Sequence, residues 1–366
     1  MKRKFLFSAI LIAGILSVFA FTSQAVENKR ERAAKKNHTA PAPKVQRARL
    51  LFAGDAMCHT PQISSARCKN GSLDFRPLFE GVKPHFDQAD IAIVNLETTI
   101  SPNSQYSGYP CFSSPKQYAD ALAWLGTDVA VLANNHCCDN GIIGIRSTIA
   151  KLDSLGIAHT GVFHNAEERE RNAILRLEHN GIKFAIVNYT YGTNGNPVPR
   201  GCFVNHINTT QIANDLELAS KDSDCVIACM HWGVEYQQQP SSEQRRLAQF
   251  LHSHGVDLVI GSHPHVVQPY VATDSLITLY SLGNFISNQK KPNTDGGLLA
   301  EIEVEKGVDG VCKYSLKVIP VWVKYPGHRL VSSEHDSEVT MTEEQRARYN
   351  YFLSNTKRLL EKGVKF

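Results

Sequence analysis

The sequence predicts an α/β layered fold, two sheets with helices outside them. Three observations point there: short apolar runs alternate with helical stretches from Ala48 onward, several runs end on a polar side chain, and further strands collect late in the chain. The first two strands are "ARLLFAGD" and "DIAIVNLE", each apolar until its last residues. Pro115 to Leu125 reads as a helix with proline at its start, and "DVAVLAN" as the next strand. A second helix, Ile142 to Leu155, stops at Gly156. In "AILRLEHNGIKFAIVNYT" the pair Asn180-Gly181 supplies the tight turn of a hairpin. "CVIACMHWG" is a strand, and Ser242 to His254 a helix closed by Gly255, with Ser241 and Gln244 placed as a capping box. "VDLVIGSHPH", "LITLYSLGNF" and "LLAEIEVEKGVDGVCKYSLKVIPVWVKY" read as strands, and an amphipathic helix starts near Thr342.

At 366 residues, with 42% apolar and 20% charged side chains, the chain can bury a substantial core. Residues 1–25 read as a signal peptide or an uncleaved membrane anchor: Lys2, Arg3 and Lys4, then an apolar run from Phe5 to Phe21, then Ser23-Gln24-Ala25. This implies export to the periplasm or another extracytoplasmic space. Residues 26–47 are basic, poor in large apolar side chains, and read as a disordered linker; they account for much of the net charge of +4 and argue against nucleic-acid binding. The main domain is expected over residues 48–325 and a helical extension packed on it over residues 326–366. Nine cysteines leave at least one unpaired if all disulfides are internal, and no CxxC zinc framework appears.

The polar side chains gather where the apolar strands stop. Asp55, Glu97, Asn135, His231, His263 and His265 each lie at or just beyond such an end, and the crevice outside strand carboxyl ends is where open α/β sheets bind ligands. Singly, Asp55 or Glu97 reads as a turn cap, Asn135 as a left-handed turn residue, and His231 as a packed core histidine. His263 and His265, two apart on an extended segment stiffened by Pro264, are expected to point the same way. Together the six predict a metal site. Carboxylates, an amide oxygen and imidazoles suit one or two borderline divalent ions, Mn, Fe or Zn. Two ions bridged by one carboxylate would serve in-line attack on phosphorus.

These residues sit in "GDAM", "NLETTIS", "LANNHCCDNG", "HWGVEY", "GSHPHVVQP" and "YSLGNF", which follow in order between Ala48 and about Val323. The chain thereby resembles the CapA family of capsule or poly-γ-glutamate biosynthesis proteins, a branch of the calcineurin-like metallophosphoesterases. The resemblance implies a four-layered α/β/β/α sandwich with the site at the strand ends. It implies Asp55 as a first-metal carboxylate, Glu97 as the bridging acid, Asn135 as an amide ligand, His231 and His263 as second-metal ligands, and His265 as a first-metal ligand. His136 resembles the non-ligand histidine that protonates the leaving group or steadies the phosphoryl charge, and Asp139 the acid that orients it. Met57 stands where the wider superfamily has a histidine, and His59 could replace that imidazole if the loop bends back.

The leading functional reading is an exported, metal-dependent phosphoesterase-like hydrolase serving capsule, poly-γ-glutamate or other surface-polymer assembly. Its expected partners are a phosphoester-bearing or polyanionic polymer and a membrane-bound synthesis complex. The alternative is a metal-binding assembly component without turnover, motivated by Met57. A third reading makes Cys137 or Cys138 a nucleophile beside His136, although such pairs usually come from separate segments. Asn95, Glu235, Tyr236 and Asn284 are candidate substrate-binding residues, each with a packing or turn role as the competing assignment. Substrate choice is expected to lie in the loops Ser101 to Pro115 and Tyr189 to Phe203.

Overall fold

The structure is a computed structural model and describes residues 45–364. The signal-peptide and linker assignments fall outside these residues, apart from the linker's last three. The elements used below are, in chain order, β1 (Gln46–Ala56), α1 (Thr60–Ser65), β2 (Ile91–Leu96), α2 (Lys116–Leu125), β3 (Val129–Val131), α3 (Gly141–Leu155), β4 (Ala158–Thr160), α4 (Ala166–Asn172), β5 (Leu175–His179), β6 (Ile182–Thr190), α5 (Thr209–Ser220), β7 (Cys225–His231), α6 (Ser242–Ser253), β8 (Leu258–Ser262), β9 (Tyr270–Ala272), β10 (Ile277–Leu279), β11 (Asn284–Ile286), β12 (Gly296–Lys306), β13 (Cys312–Lys324), β14 (Arg329–Ser332) and α7 (Glu343–Lys362). After residue 325 the chain thus forms a strand before its last helix.

One sheet has eight strands in the order β14-β13-β12-β1-β2-β3-β4, with β11 also pairing β1; the other has six, β9-β10-β8-β7-β6-β5. Alternation along the strands builds the layers. Leu50, Phe52, Ile93 and Val131 of the first sheet meet Ile186, Ile227 and Ile260 of the second in a core between the sheets. Their sequence neighbours Leu51, Val94 and Ala130 face the other way, onto Tyr118 and Leu122 of α2 and Ile145 and Ile149 of α3. Val187, Ala228 and Val259 likewise pack on Ile212 and Leu216 of α5 and on Leu247 and Leu251 of α6. This is the four-layered α/β/β/α sandwich. Each fully buried Leu or Ile contributes ~1.5–3 kcal/mol, so these three cores hold the layers together.

The local signals act as read. Asn180 and Gly181 both take positive φ, 50° and 78°, and join β5 to β6 as an antiparallel hairpin. Ser241 and Gln244 form the capping box of α6, and Thr342 with Gln345 forms one on α7. Helix α7 lays Tyr349 and Phe352 against Trp322 of β13.

The parallel strands have two unlike edges. At the entry edge an aspartate immediately precedes each of four strands and accepts a backbone N–H from the neighbouring strand at 2.8 Å: Asp90 from Arg49, Asp128 from Ala92, Asp224 from Lys183 and Asp257 from Val226. The same aspartates donate their own N–H groups to the carbonyls of those residues, which pins the register. At the exit edge stand the candidate ligands.

Two expectations need correction. "LITLYSLGNF" is not one strand: β10 belongs to the second sheet and β11 to the first, so the chain crosses between sheets at Tyr280 to Gly283. The segment after β8 is not extended either. His263 and His265 have φ of 98° and 59°, so a turned loop and not strand alternation sets their directions.

Candidate metal centre

Asp55 sits near the end of β1, level with Asn95 of β2 and Asn284 of β11. Its backbone can pass there because residue 54 is glycine; a Cβ on Gly54 would lie 2.0 Å from the Gly283 carbonyl oxygen. Asp55 Oδ1 accepts from Asn95 Nδ2 at 2.8 Å, and Oδ2 lies 3.0 Å from His265 Nδ1. The His263 N–H contacts both carboxylate oxygens at 3.3 Å. Backbone and side chains of three strands and one loop therefore aim this carboxylate into the space between the sheets.

Glu97 follows directly on β2 and is fully buried. His231 Nε2 is 3.7 Å and His265 Nε2 3.8 Å from its Oε1, outside hydrogen-bond range. Both Glu97 carboxylate oxygens are buried without a hydrogen-bond partner among the described residues, as is His263 Nδ1. Ligand atoms of Asp55, Glu97 and His231 lie within 4.8 Å of one another, and so do those of Glu97, His263 and His265. The two sets share Glu97.

The electrostatics match the geometry. Burial, then the Asp55 charge, pushes the Glu97 carboxyl well above its usual range. Burial, then His263 and the other imidazoles, holds His231 well below its usual value; burial, then His265, brings His263 down to about 3. His231 and His263 are therefore neutral, with lone pairs available to a cation. An uncompensated buried carboxylate costs several kcal/mol, a cost that protonation or a bound cation removes. Oxygen and imidazole donors without thiolate suit a borderline divalent ion.

Asn135, beyond β3, places Oδ1 3.0 Å from His231 Nε2. His136 next to it has Nδ1 2.8 Å from Asp139 Oδ2, which also accepts the Phe112 N–H at 2.7 Å. An acceptor at Nδ1 fixes the proton there and leaves Nε2 toward the centre's open side. Phe112 meets the His136 ring edge-on at 4.7 Å. Asn284 is buried at the start of β11 with Oδ1 3.1 Å from His265 Nδ1. Tyr236, at φ 67°, donates its N–H to the Pro264 carbonyl at 2.8 Å and lies 6.2 Å from the His265 ring, so it orders the loop of His265; Glu235 beside it is exposed.

Several predicted features stay apart from the centre. His59 does not bend back to replace an imidazole: its Nδ1 is 3.1 Å from Gln62 Oε1 and accepts the Asn288 N–H at 3.2 Å, and it belongs to neither ligand set. Met57 is buried and fixed by its backbone to Ile286 at 2.9 Å. Cys137 and Cys138 pack in the core beneath α3 with sulfurs 3.9 Å apart, and all nine cysteines are free. The Cys138 contact, then burial, raises the Cys137 thiol, and the same contact lowers that of Cys138; both side chains are buried in the core cluster.

Other residues join the site that the strand-end pattern did not single out. Asn134 donates to the Leu96 carbonyl at 2.8 Å and accepts the His136 N–H at 3.1 Å. Asn194 accepts from Asn135 Nδ2 at 3.2 Å and lies 3.5 Å from His136 Nε2; Asn196 reaches Asp139 Oδ1 at 3.4 Å. Tyr191 covers His263 at 4.5 Å and stacks parallel to His231 at 6.2 Å. Asn194, Asn196 and Tyr191 lie in the Tyr189 to Phe203 loop, so its expected role was the available signal.

A family model described as "Bacterial capsule synthesis protein PGA_cap" matches residues 49–289, a stretch that contains every residue of the centre named above. Among curated relatives, the "PGA biosynthesis protein CapA" of Bacillus subtilis is 26% identical over 244 residues, covering 64% of this chain and 62% of that protein. The "Capsule biosynthesis protein CapA" of Bacillus anthracis is 26% identical over 270 residues, covering 71% and 64%. The chain thus spans somewhat less than two thirds of the length of these relatives. Among solved structures, a "novel phosphatase" of Mycoplasma pneumoniae aligns with a TM-score of 0.48 at 15% identity over 76% of this chain and 95% of that one.

Proposed function

The chain belongs to the family of bacterial capsule synthesis proteins, and from that premise we propose that it is an exported, metal-dependent phosphoesterase-type hydrolase acting in capsule, poly-γ-glutamate or other surface-polymer assembly. The observation that carries this reading is Glu97, a buried carboxylate with no partner, common to two sets of ligands and set beside a histidine oriented by an acid. Divided as the resemblance implies, Asp55, Glu97 and His265 would hold one ion and Glu97, Asn135, His231 and His263 a second, a division that exchanges His231 and His265 between the two distance clusters and keeps Glu97 common to both. A divalent ion, Mn, Fe or Zn, supplies Lewis-acid polarisation and neutralises phosphoryl charge when bound.

The chain's own residues supply the rest. His136 would donate a proton to a leaving oxygen from Nε2 in its doubly protonated form, and the Asp139 carboxylate would answer the ring's charge while holding Nδ1–H and the ring in place. The Asn194 amide, 3.5 Å from that Nε2, is positioned to meet a phosphoryl oxygen in the same space. Asn95 and Asn284 hold Asp55 and His265 in orientation. The pattern of residues 2–25 supports export, and no helix among the described residues is long and apolar enough to cross a membrane.

Phosphomonoester and phosphodiester hydrolysis with added Mn tests the reading. Turnover that is lost in Asn135→Ala and His136→Ala is the expected result; turnover that survives both together contradicts the assigned roles. Met57 favours a second reading, a metal-binding assembly component without turnover. Stoichiometric metal with no hydrolysis across a broad ester panel would select it.

A further inference from the structure

We propose that Lys290, Lys291 and Arg348 form an anion subsite adjoining the metal centre, which takes a second acidic group of the substrate, a carboxylate or a phosphate, beside the reacting one. The inference rests on the hydrolase reading for what enters the centre. These three residues line an open groove of about 370 Å³, bordered also by Asn293, Asp295 and Tyr351.

Lys291 links the groove to the centre. Its Nζ stands 3.6 Å from the centroid of the Tyr236 ring, and that ring is 6.2 Å from His265. The loop that carries both lysines is fixed by a residue of the centre itself. Asn284 contacts His265 through Oδ1, and its amide donates to Gln289 Oε1 at 3.1 Å and to the Thr294 carbonyl at 2.8 Å. One side chain thereby ties His265 of the centre to the loop that carries the two lysines.

The groove keeps a net positive charge. Neither Lys290 nor Lys291 has a carboxylate partner among the described residues, whereas Lys83, Lys151 and Lys221 elsewhere on the surface are each paired with an acid. Asp295, 3.4 Å from Arg348 and also accepting from Trp322 Nε1 at 2.9 Å, offsets one of the three cations and leaves the two lysines in excess. Lys290 and Arg348 also rest near the face of Tyr325, at 5.8 and 6.0 Å, and the Tyr325 hydroxyl donates to the Ser287 carbonyl at 2.9 Å. Cations held on aromatic faces lose less freedom when they bind an anion than free surface lysines do. A neutral substrate would leave this charge unused; an acidic one would be drawn toward the centre along it.

The test is titration of the metal-loaded full chain with a short γ-linked glutamate oligomer, a short inorganic polyphosphate and a neutral dextran oligomer, at two ionic strengths. At least one acidic probe is expected to bind. The Lys290→Gln, Lys291→Gln double variant should weaken it by about tenfold or more and flatten its salt dependence. The Arg double variant should stay within about twofold of the parent, because it keeps the charge. Lys313→Gln, the loss of a single charge on an exposed position at the far end of β13, should also stay within about twofold. Which probe responds more identifies carboxylate or phosphate as the partner. Unchanged metal content and melting midpoint show that the Gln variant is folded. Failure of both acidic probes to bind the parent, equal affinity in the Gln variant, an equal loss in Lys313→Gln, or equally tight dextran binding would each overturn the subsite. Absence of hydrolysis with the subsite intact would count against the hydrolase reading alone.

Discussion

The two edges of the parallel strands carry the same kind of residue and use it in opposite ways. At the entry edge Asp90, Asp128, Asp224 and Asp257 each accept a backbone N–H from the next strand, so their charge is answered within the fold. At the exit edge Glu97 is more deeply buried than any of these and accepts nothing among the described residues. Folding alone would select against such a carboxylate. The difference separates acids that build the sheets from an acid whose proposed role is to meet a bound cation.

The largest expected effect is on turnover and lies at the exit edge. His136→Ala should lower phosphoester turnover by roughly 10²–10⁴, the range for loss of a proton donor. Asp139→Asn should follow it in the same direction. A matching loss from Asp257→Ala would break the distinction between edges.

Glu97→Gln should change stability with opposite sign in the two metal states. Without metal, removing the unanswered charge should stabilise the chain by roughly 1–3 kcal/mol; with metal, the parent should be the more stable. The sign with pH follows from the raised carboxyl pKa. Its contribution is present below the usual carboxylate value and lost as pH rises through the folded one, so the gain from Gln in metal-free protein should be larger at pH 8 than near pH 5. Thermal melts with and without chelator over that interval would measure both.

Asp257→Ala should cost roughly 0.5–1.5 kcal/mol, the net worth of one hydrogen bond, equally with and without metal. A metal-dependent loss there would blur the contrast. At the small end, Asn194→Ala removes one polar contact to Asn135 and one to His136 and should slow turnover by roughly 2–12-fold with metal content unchanged. KM and kcat measured separately would show whether it acts on binding or on the step.

How much of this could be read beforehand differs between the edges as well. The exit-edge ligands stood out because metal-competent residues end apolar strands, a pattern that needs no tertiary knowledge. The entry-edge aspartates were equally visible, as an Asp before "IAIV", "VAV", "CVIA" and "LVIG", but a lone Asp before a strand has too many local uses to be interpreted. The direction of His263 and His265 was not legible, because positive φ at both comes from the loop's closure on Asp55 and not from their own preferences. The split of Ile277 to Ile286 between two sheets was hidden for a similar reason. Its apolar pattern is continuous, and the switch depends on close approach of Gly54 and Gly283, which are far apart in sequence. Asn194, Asn196 and Tyr191 reach the centre from a loop whose path no local pattern sets. Helices α1, α4 and α5 were not marked by the pattern at all; α1 is only six residues long, too short for a hydrophobic period to show.

The most direct test of the account is elemental analysis of the purified chain after dialysis against Mn or Zn, alongside Glu97→Gln and Asp257→Ala. The account predicts about one or two divalent ions per chain in the parent and in Asp257→Ala, with most of that metal lost from Glu97→Gln. A parent that holds no more metal than Glu97→Gln would contradict it.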